Sequence, residues 1–341
     1  MMEESLAYLD LPANQAMERF ESGAQALGLR VERSPDMLRL RLKMGTVEVM
    51  GEGPGTGIRM AARDAVNLQV LRDLMAERLG QLGVTPRWLT RATSPKPANL
   101  SLAEIVQIVR ISPSFVRVTI EGSDLGRLAS GGMHFRILLG PENAGWPAVD
   151  SAGITVWPGG AGNWHRPVYT TRHIEMLPKT DSAAQEVPAR ITFDVFLHDG
   201  GRVTEWVLQA RPGDEIALTG PGGSDRPEAG WIGIIGDETA LPVAARILAE
   251  APLGTRGAAV LFVPEAADIQ DLQHPEGVSV RWVTRGGAET PLSALEGLDC
   301  PENDRYVFFA AERQEAVAAR KRLTENGFGR GDYHAAGYWS A

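Results

Sequence analysis

The 341-residue sequence lacks the features that mark secreted, membrane-spanning and cluster-bearing proteins. Its single cysteine, Cys300, excludes an internal disulfide and also the four thiolates that would hold an iron–sulfur cluster. No apolar run approaches the roughly 20 residues needed to cross a bilayer. The opening residues, Met1 to Ser5, lack the basic and apolar segments of a signal peptide. We therefore expect a cytoplasmic protein without membrane insertion.

Basic residues are also in deficit. The formal net charge is −9, and the surplus of acidic residues falls after residue 96. Because phosphate binding needs a basic face, this balance argues against nucleic acid as a partner. Solubility alone is a sufficient explanation for the acidic surplus. Redox chemistry, if present, then depends on a bound organic cofactor or an external metal.

Three regions differ in pattern, and we predict domains at residues 1–95, 100–225 and 228–341. In the first region, residues 38–42 alternate apolar and charged side chains, as a half-buried strand does. A looser alternation over residues 46–50 predicts the next strand, and apolar spacings of three or four predict a helix over residues 61–82. These elements indicate a small α/β domain of unknown function.

The glycine-rich segment 51–57 lies between a predicted strand and a predicted helix. It does not fit the G-x-G-x-x-G pattern of dinucleotide sites, because Thr56 stands where the last glycine is required. We therefore interpret it as a turn that connects strand to helix, with no phosphate.

The second region contains short strands separated by glycine and proline. Such strands predict a closed antiparallel β-barrel, with a loop rich in Gly, Pro, Trp and Asn at residues 142–165. The predicted strands are 105–111, 115–120, 134–139, 154–157, 191–197, 203–208 and 215–219.

The third region alternates apolar strands with helices, which predicts a parallel sheet with crossover helices. Barrel followed by parallel α/β domain is the order found in ferredoxin-reductase-like enzymes, an analogy of architecture alone. The predicted strands are 231–235, 258–263, 278–283 and 306–310, and the predicted helices are 240–251 and 313–326.

A cluster that suits a flavin follows the loop, from Arg166 to Arg172. A tyrosine such as Tyr169 can pack on an isoalloxazine face, and the hydroxyls of Thr170 and Thr171 can bond its polar edge. Arg172 can pair with the FAD pyrophosphate. Plain barrel surface is the alternative interpretation of the same residues.

A second cluster follows at residues 198–206. Taken alone it reads as a hairpin followed by a strand or the start of a helix. Backbone N–H groups and a hydroxyl in such a turn favour anions, and the family resemblance described below implies that they bind flavin phosphates. The candidate residues are His198, Gly201, Arg202, Val203, Thr204 and Trp206.

The most specific segment is residues 235–248. An apolar strand ends at a glycine, acidic residues and a threonine follow, and a helix begins with proline in its first turn. This arrangement predicts a crevice at the carboxyl edge of a parallel sheet, where ligands bind. Helix capping alone would account for the threonine and the proline. The candidate residues are Gly236, Asp237, Glu238, Thr239, Ala240, Leu241 and Pro242.

Taken together, these segments resemble the siderophore-interacting protein family over roughly residues 100–341. The matching motifs are R-x-Y-T-x-R, with Arg166 one position early, and G-D-E-T-A-L-P at residues 236–242. Ala311-Glu312 resembles the family's A-G-E with alanine in place of glycine, and Trp339 lies in its closing G-Y-W. The first 95 residues resemble a small domain often associated with this family.

The resemblance implies an FAD-dependent ferric-siderophore reductase. Electrons would pass from NADH or NADPH, or from a ferredoxin, through FAD to chelated Fe(III). The flavin carries the difficult chemistry, so no catalytic acid or base is named. A flavin reductase with another acceptor and a non-enzymatic siderophore- or flavin-binding protein remain open. Because the six histidines show no ligand spacing, no metal site is expected.

Overall fold

The computed structural model describes residues 2–179 and 186–340. Two compact units are present. The first consists of residues up to 100 together with 139–165, and the second consists of 101–138 together with the chain from 166 onward. The three predicted domain ranges stay a prediction. Within the described residues, no helix is long and apolar enough to cross a membrane.

The first unit is an antiparallel sheet with two helices. Its strand order is β2-β3-β4-β5-β1-β6. The elements are β1 (Glu3–Leu9), α1 (Ala13–Ala26), β2 (Val31–Arg33), β3 (Met37–Leu42), β4 (Gly45–Glu52), β5 (Gly55–Ala62), α2 (Ala65–Gln81) and β6 (Arg87–Trp88).

One face of this sheet is apolar because alternate residues of each strand point the same way. Leu38 and Leu40 of β3 share a core with Phe20 of α1 and Leu71 of α2. The opposite face is charged, and Arg39 and Glu48 pair across β3 and β4. The predicted α/β character of this region is thus present.

The glycine-rich segment differs from its prediction. Residues 51–57 form the end of β4, a tight turn and the start of β5, so the prediction of one long turn into a helix is wrong. Ala61 and Ala62 belong to β5, and α2 begins only after Asp64, whose carboxylate accepts a hydrogen bond from the Asn67 N–H at 2.8 Å. The apolar end of the strand runs into the helical pattern, which hid the boundary. Helix α1 was not predicted.

The second region holds a curled antiparallel sheet with the order β12-β9-β15-β7-β8-β14-β13. Its elements, with two strands of the intervening loop, are β7 (Leu100–Ser112), β8 (Phe115–Gly122), β9 (His134–Leu138), β10 (Ala148–Val149), β11 (Thr155–Val156), β12 (Val168–Thr170), β13 (His173–Met176), β14 (Ala189–Phe196), α3 (Arg202–Gln209) and β15 (Glu215–Gly222).

The two edge strands of this sheet, β12 and β13, are consecutive in the chain and separated only by Thr171 and Arg172. The Thr171 N–H donates to the Met133 carbonyl beside β9, and the Arg172 N–H donates to Thr192 of β14, both at 2.9 Å. The chain therefore joins the edges of the sheet, as a barrel requires. The predicted antiparallel architecture is confirmed.

Residues 203–208 form part of helix α3, so the prediction of a strand there is wrong. Val203 and Val207 are the buried residues of this helix, and their spacing of four places them on one face. A short apolar run of this kind is ambiguous between strand and helix.

The third region is a five-stranded parallel sheet in the order β18-β17-β16-β19-β20. The predicted strands and helices here are confirmed, although α5 and β20 were not predicted. The elements are β16 (Trp231–Gly236), α4 (Leu241–Glu250), β17 (Arg256–Val263), β18 (Val278–Thr284), α5 (Pro291–Glu296), β19 (Arg305–Glu312), α6 (Arg313–Glu325) and β20 (Tyr333–Trp339).

Both faces of the parallel sheet are buried. Ile234 faces a core that includes Leu241 and Ala244 of α4, whereas Ile235 faces a core that includes Ala316 of α6. The strand order reverses on either side of β16, between β17 and β19. The carboxyl ends of β16 and β19 therefore flank a crevice of the kind in which ligands bind.

We expect Gly257→Ala to destabilise the parallel sheet strongly. Gly257 has φ +145°, and a Cβ there would lie 1.8 Å from the Ile232 carbonyl oxygen on the paired strand. The loss should reach about 3 kcal/mol or more of unfolding free energy. Urea unfolding followed by circular dichroism measures it.

Gly254→Ala is the matched control, because its Cβ meets nothing within 4 Å. It should change the unfolding free energy by no more than about 0.5 kcal/mol. Equal midpoints for the two variants would contradict the role assigned to Gly257.

Candidate functional site

The strand β12 brings the flavin-motif residues to the edge of the curled sheet. Tyr169 is partly buried, and its ring packs edge-to-face on Phe193, with ring centroids 5.6 Å apart. Burial raises the pKa of Tyr169, so the phenol stays neutral. The Thr170 hydroxyl lies 3.2 Å from Nδ1 of His134 on β9. The motif thus presents an aromatic ring and a hydroxyl from adjacent positions.

Thr171 lies in the two-residue crossing and is 1% exposed. Its backbone is fully used, because the N–H donates to Met133 and the carbonyl accepts from Arg246 Nη1 at 2.9 Å. Its buried hydroxyl, however, has no hydrogen-bond partner. Such an orphaned group costs free energy unless a bound molecule satisfies it.

Arg172 and Arg117 share one carboxylate, that of Asp194 on β14. Arg117 binds both carboxylate oxygens, at 2.7 and 2.8 Å, and Arg172 Nε lies 2.8 Å from Oδ2. Asp194 is 3% exposed. Two guanidinium groups against one carboxylate leave a net positive charge, which suits an anionic group such as pyrophosphate.

Helix α3 begins at Gly201 without a side-chain cap. The N–H groups of the first helical turn therefore lack partners within the helix. A Cβ at Gly201 would lie 2.6 Å from the His198 ring, so only glycine permits this close approach. The His198 ring stacks on Phe196, and its backbone N–H donates to the Thr204 hydroxyl at 3.2 Å. This turn is a cradle for an anion.

The remaining candidates on α3 divide by burial. Arg202 is exposed beside the helix start, where its charge can contribute to the anion cradle. Val203 is 7% exposed and lies on the buried face of α3 with Val207. Trp206 is partly buried one turn further along the helix.

Asp237 organises the end of β16. It is 1% exposed, and its carboxylate accepts hydrogen bonds from Trp339 Nε1 at 2.6 Å and from the Thr239 N–H at 2.9 Å. The strand-to-helix turn is tight, because a Cβ at Gly236 would lie 2.8 Å from the Cβ of Ala240. Trp339, from the last strand, is thereby held over the sheet edge.

Several other candidate residues of the parallel region serve packing or helix capping. Ala240 and Leu241 are buried at 0% and 1% exposure, and Pro242 is buried in the first turn of α4. Ala311, at the end of β19, is likewise fully buried. Glu312 is the N-cap of α6, and its carboxylate accepts from the N–H groups of Gln314 and Glu315.

Arg285, which the sequence analysis did not single out, joins the crevice from the end of β18. Its Nε donates to Glu238 at 2.8 Å, and its guanidinium carbon lies 5.7 Å from the Trp339 ring centroid. Burial raises the pKa of Glu238, and the bond to Arg285 partly opposes this. Arg285 and Trp339 are 43% (side chain) and 37% exposed, so a ligand can reach both.

His134 links the flavin motif to the C-terminal strand. Its Nδ1 faces the Thr170 hydroxyl, and its Nε2 lies 3.4 Å from the Tyr338 hydroxyl. Burial, reinforced by the charges of His334 and Arg246, lowers the pKa of His134 to about 4. The ring is therefore neutral at neutral pH. No sequence motif pointed to this residue.

The structure brings most of the candidates into two groups. In one group, Thr170 contacts His134, and His134 contacts Tyr338. Trp339, the next residue, donates to Asp237. Thr171 joins this group through the bond that its carbonyl accepts from Arg246. The other group, on α3, is formed by His198, Gly201 and Thr204. Arg166 lies before β12, and its carbonyl accepts from Arg136 Nη1 at 2.7 Å. Within residues 2–179 and 186–340, no group of three or more metal-ligating side chains is present.

These residues fit a flavin dinucleotide. The orphaned Thr171 hydroxyl, the uncapped glycine turn of α3 and the net positive Arg117–Asp194–Arg172 cluster supply the polar groups that its ring edge and phosphates need. An antiparallel sheet with such a site, followed by a parallel α/β region, defines a flavoprotein reductase architecture.

Comparison with known proteins places the chain in a family. Residues 104–225 match the siderophore-interacting FAD-binding domain, and residues 229–341 match the siderophore-interacting protein domain. The chain belongs to the siderophore-interacting protein family, and FAD is its cofactor. Neither match reaches the first unit's residues 1–100, so the association of a small N-terminal domain with this family stays a prediction.

Characterised relatives and solved structures agree with this assignment. Ferric vibriobactin reductase ViuB of Vibrio cholerae is 29% identical over 254 residues, covering 70% of this chain and 88% of that protein. The NADPH-dependent ferric-chelate reductase of Escherichia coli K12 is 26% identical, covering 70% and 91%. The crystal structure of a siderophore utilization protein from T. fusca is 32% identical, covers 74% and 96%, and has a TM-score of 0.59.

Protonation of His134 should weaken the fold in mild acid. The pKa of His134 lies near 4 in the folded protein and at the ordinary value of 6.5 in the unfolded chain. The unfolded chain therefore binds the proton first as the pH falls. The stability that the neutral ring provides is present above pH 6.5 and is lost progressively toward pH 4. The loss should be at most about 3 kcal/mol.

Urea unfolding of the wild type and of His134→Gln between pH 7.5 and 4.5 measures this effect. The glutamine cannot titrate, so the wild type should lose stability more steeply than the variant. Parallel curves for the two proteins would contradict the assignment.

Proposed function

We propose that the protein is an FAD-dependent ferric-siderophore reductase. It takes electrons from NAD(P)H, passes them to chelated Fe(III) and releases Fe(II) for intracellular use. The observation that carries the proposal is the linked site in which the flavin-motif residues Thr170 and Thr171 connect to Asp237 and Trp339 of the nucleotide domain. Family membership and the names of the relatives support it.

When bound, FAD accepts a hydride from a reduced nicotinamide and releases electrons singly, as reduction of Fe(III) requires. We assign its ring to Tyr169, Thr170 and Thr171. The first turn of α3 and the Arg117–Asp194–Arg172 cluster hold its pyrophosphate. Some candidates suggested by the family resemblance, among them Val203 and Ala240, have buried side chains, and we assign those side chains to packing.

The electron donor is assigned to the crevice at the ends of β16 and β19. Trp339 offers an aromatic surface there, and Arg285 offers a positive charge that Glu238 holds in place. Asp268, which contributes to the acidic appearance of the segment after β17, is fully buried. It accepts hydrogen bonds from the Ser112 hydroxyl and the Ser114 N–H. An exposed acidic side chain here would disfavour the 2′-phosphate of NADPH, but the buried charge of Asp268 does not, so it gives no preference for NADH. A ferredoxin is the alternative donor.

The ferric chelate is assigned to the basic residues beside β12. Arg136 Nη1 donates to the Arg166 carbonyl at 2.7 Å, and burial, together with the charge of Arg166, lowers the pKa of Arg136. Such a pair attracts an anionic chelate through space. Hard oxygen ligands bind Fe(III) more tightly than Fe(II), so reduction weakens the complex and releases the metal. We place the reaction in the cytoplasm, where the reduced nicotinamides are regenerated.

An anaerobic assay with NADH and NADPH tests the proposal. We expect one of these nucleotides to bleach the visible flavin absorption, and a ferric siderophore then to restore it faster than buffer does. A ferrous-iron indicator should report the product. Bleaching without accelerated return by ferric chelates would leave a flavin reductase with another acceptor. Failure of both nucleotides and of ferredoxin would leave a non-enzymatic binding protein.

Gly201→Ala should weaken FAD binding while the protein remains folded. The added methyl displaces the His198 ring and disturbs the uncapped turn of α3. We expect a loss of about tenfold or more in affinity, which corresponds to about 1.4 kcal/mol. Titration of apoprotein with FAD, followed by flavin fluorescence, measures it. Gly254→Ala should bind FAD like the wild type, and equal affinity of Gly201→Ala would remove the phosphate assignment.

A further inference from the structure

The first unit contains a cavity that the proposed reductase activity does not use. Its volume is about 160 Å³, and it lies between the start of α2, the start of β1, the segment after β6 and the loop that carries β10 and β11. Arg72, Arg91, Lys96, Thr93 and Ser94 are among its lining residues. The space equals that of about five water molecules in the liquid, enough for a small ion.

Arg72 is the central group of this cavity. It lies on α2 and is 7% exposed. Its Nη2 donates to the carbonyl oxygens of Thr90, at 3.0 Å, and of Ala152. Its guanidinium carbon lies 5.8 Å from the Trp88 ring centroid, and the φ +73° glycine Gly153 packs so closely that a Cβ would lie 2.4 Å from Nη2. The guanidinium is therefore held in one position.

This buried cation makes no direct ion pair with the described residues, although the charges of Asp73 and Asp150 act on it through space. The two nearby carboxylates are engaged elsewhere. Asp73 accepts from the N–H and hydroxyl of Thr155, at 2.8 and 2.7 Å, and Asp150 accepts from the N–H groups of Ala152 and Ile154. The Nε of Arg72 has no hydrogen-bond partner. Burial lowers the pKa of Arg72, and the charges of Asp73 and Asp150 partly oppose this.

The other buried arginine provides a contrast. Arg246 is 4% exposed, and its Nε donates to Glu250 at 3.0 Å in addition to the bonds that it makes to backbone carbonyls. Buried charges in folded proteins are paired, because an unpaired charge is costly to remove from water. Arg72 departs from this rule and lines a cavity, so a missing anion is the simplest partner.

We propose that this cavity binds a small oxyanion, of phosphate or carboxylate size, through Arg72. Nη2 is used by two backbone carbonyls and Nε is enclosed, so the N–H groups of Nη1 are the donors that Arg72 offers to an ion. Arg91 and Lys96 add positive charge at the rim, and the hydroxyls of Thr93 and Ser94 add donors. Glu3 and Glu4 also line the cavity, and of these Glu4 pairs with Arg59. The site is independent of the reductase proposal.

Calorimetric titration of the FAD-saturated full-length protein tests the proposal. Saturation with FAD keeps the injected ion out of the flavin phosphate site. The probes are inorganic phosphate, sulfate and acetate, each at constant ionic strength maintained with sodium chloride. We expect one saturable site per chain with a Kd of about 1 mM or lower for at least one probe. Preference for phosphate and sulfate over acetate would identify a tetrahedral ligand, and the reverse a carboxylate.

Variants locate the binding. Arg72→Met should abolish it, and Arg91→Gln should weaken it roughly three- to tenfold, because a rim charge contributes less than a buried one. Arg30→Gln, an exposed arginine of the same unit, should leave it unchanged. If Arg72→Met does not fold, the ion affinities of Arg91→Gln and Arg72→Lys, measured by the same titration, decide whether the ion binds in this cavity. The proposal is overturned if no probe binds the wild type, or if Arg91→Gln binds the ion as tightly as Arg30→Gln.

Discussion

The relation between the curled sheet and the parallel domain depends on the buried guanidinium of Arg246. From helix α4 it donates to the Thr171 carbonyl at 2.9 Å and reaches the Met133 carbonyl at 3.4 Å. Thr171 lies where the chain crosses from one edge of the curled sheet to the other, and Met133 lies beside β9. Hydrogen bonds from a charged donor contribute about 1.5–3 kcal/mol each. Helix α4, which follows the motif at residues 236–242, is thereby attached to Thr171, directly after the flavin-motif strand β12.

A second connection runs in parallel with the first. Thr170, His134 and Tyr338 form a line of polar contacts from β12 to the last strand, and Asp237 holds the neighbouring Trp339. Because the ring of His134 is neutral, this line carries no net charge through the buried region. Asp268 supplies a third connection, to the turn between β7 and β8. The site is consequently assembled from segments that are far apart in sequence.

The long loop before the flavin motif belongs to the first unit. Asp73 and Gln69 of α2 bind the backbone around Thr155 and Gly153. At the base of the loop, Leu139 and His165 exchange backbone hydrogen bonds at 2.9 Å. A loop of this length would otherwise cost conformational entropy, and the polar face of α2 offsets that cost. Residues that look unremarkable in sequence thus hold the segment that leads into β12.

Periodicity and local motifs were sufficient for much of the architecture. The parallel region was predictable because its strands are continuous apolar runs, and the turn at residues 236–242 carries its own helix-start residues. The antiparallel region was predictable as a class, since its strands are short and separated by glycine and proline. In each case the information lies within a few consecutive residues. The short edge strand β12, which carries Tyr169, was not among the predicted strands.

Tertiary structure decided the remainder. Helix α3 could not be distinguished from a strand, because its short apolar run fits both until Val203 and Val207 meet the core. Arg285, His134 and Asp194 entered the site only through contacts with residues far along the chain, and Glu312 became a helix cap. The sequence by itself determined that the chain carries flavin and nucleotide motifs on two kinds of sheet. Only the fold decided which side chains are buried in packing and which are grouped at the candidate site, because burial and pairing depend on residues distant in sequence.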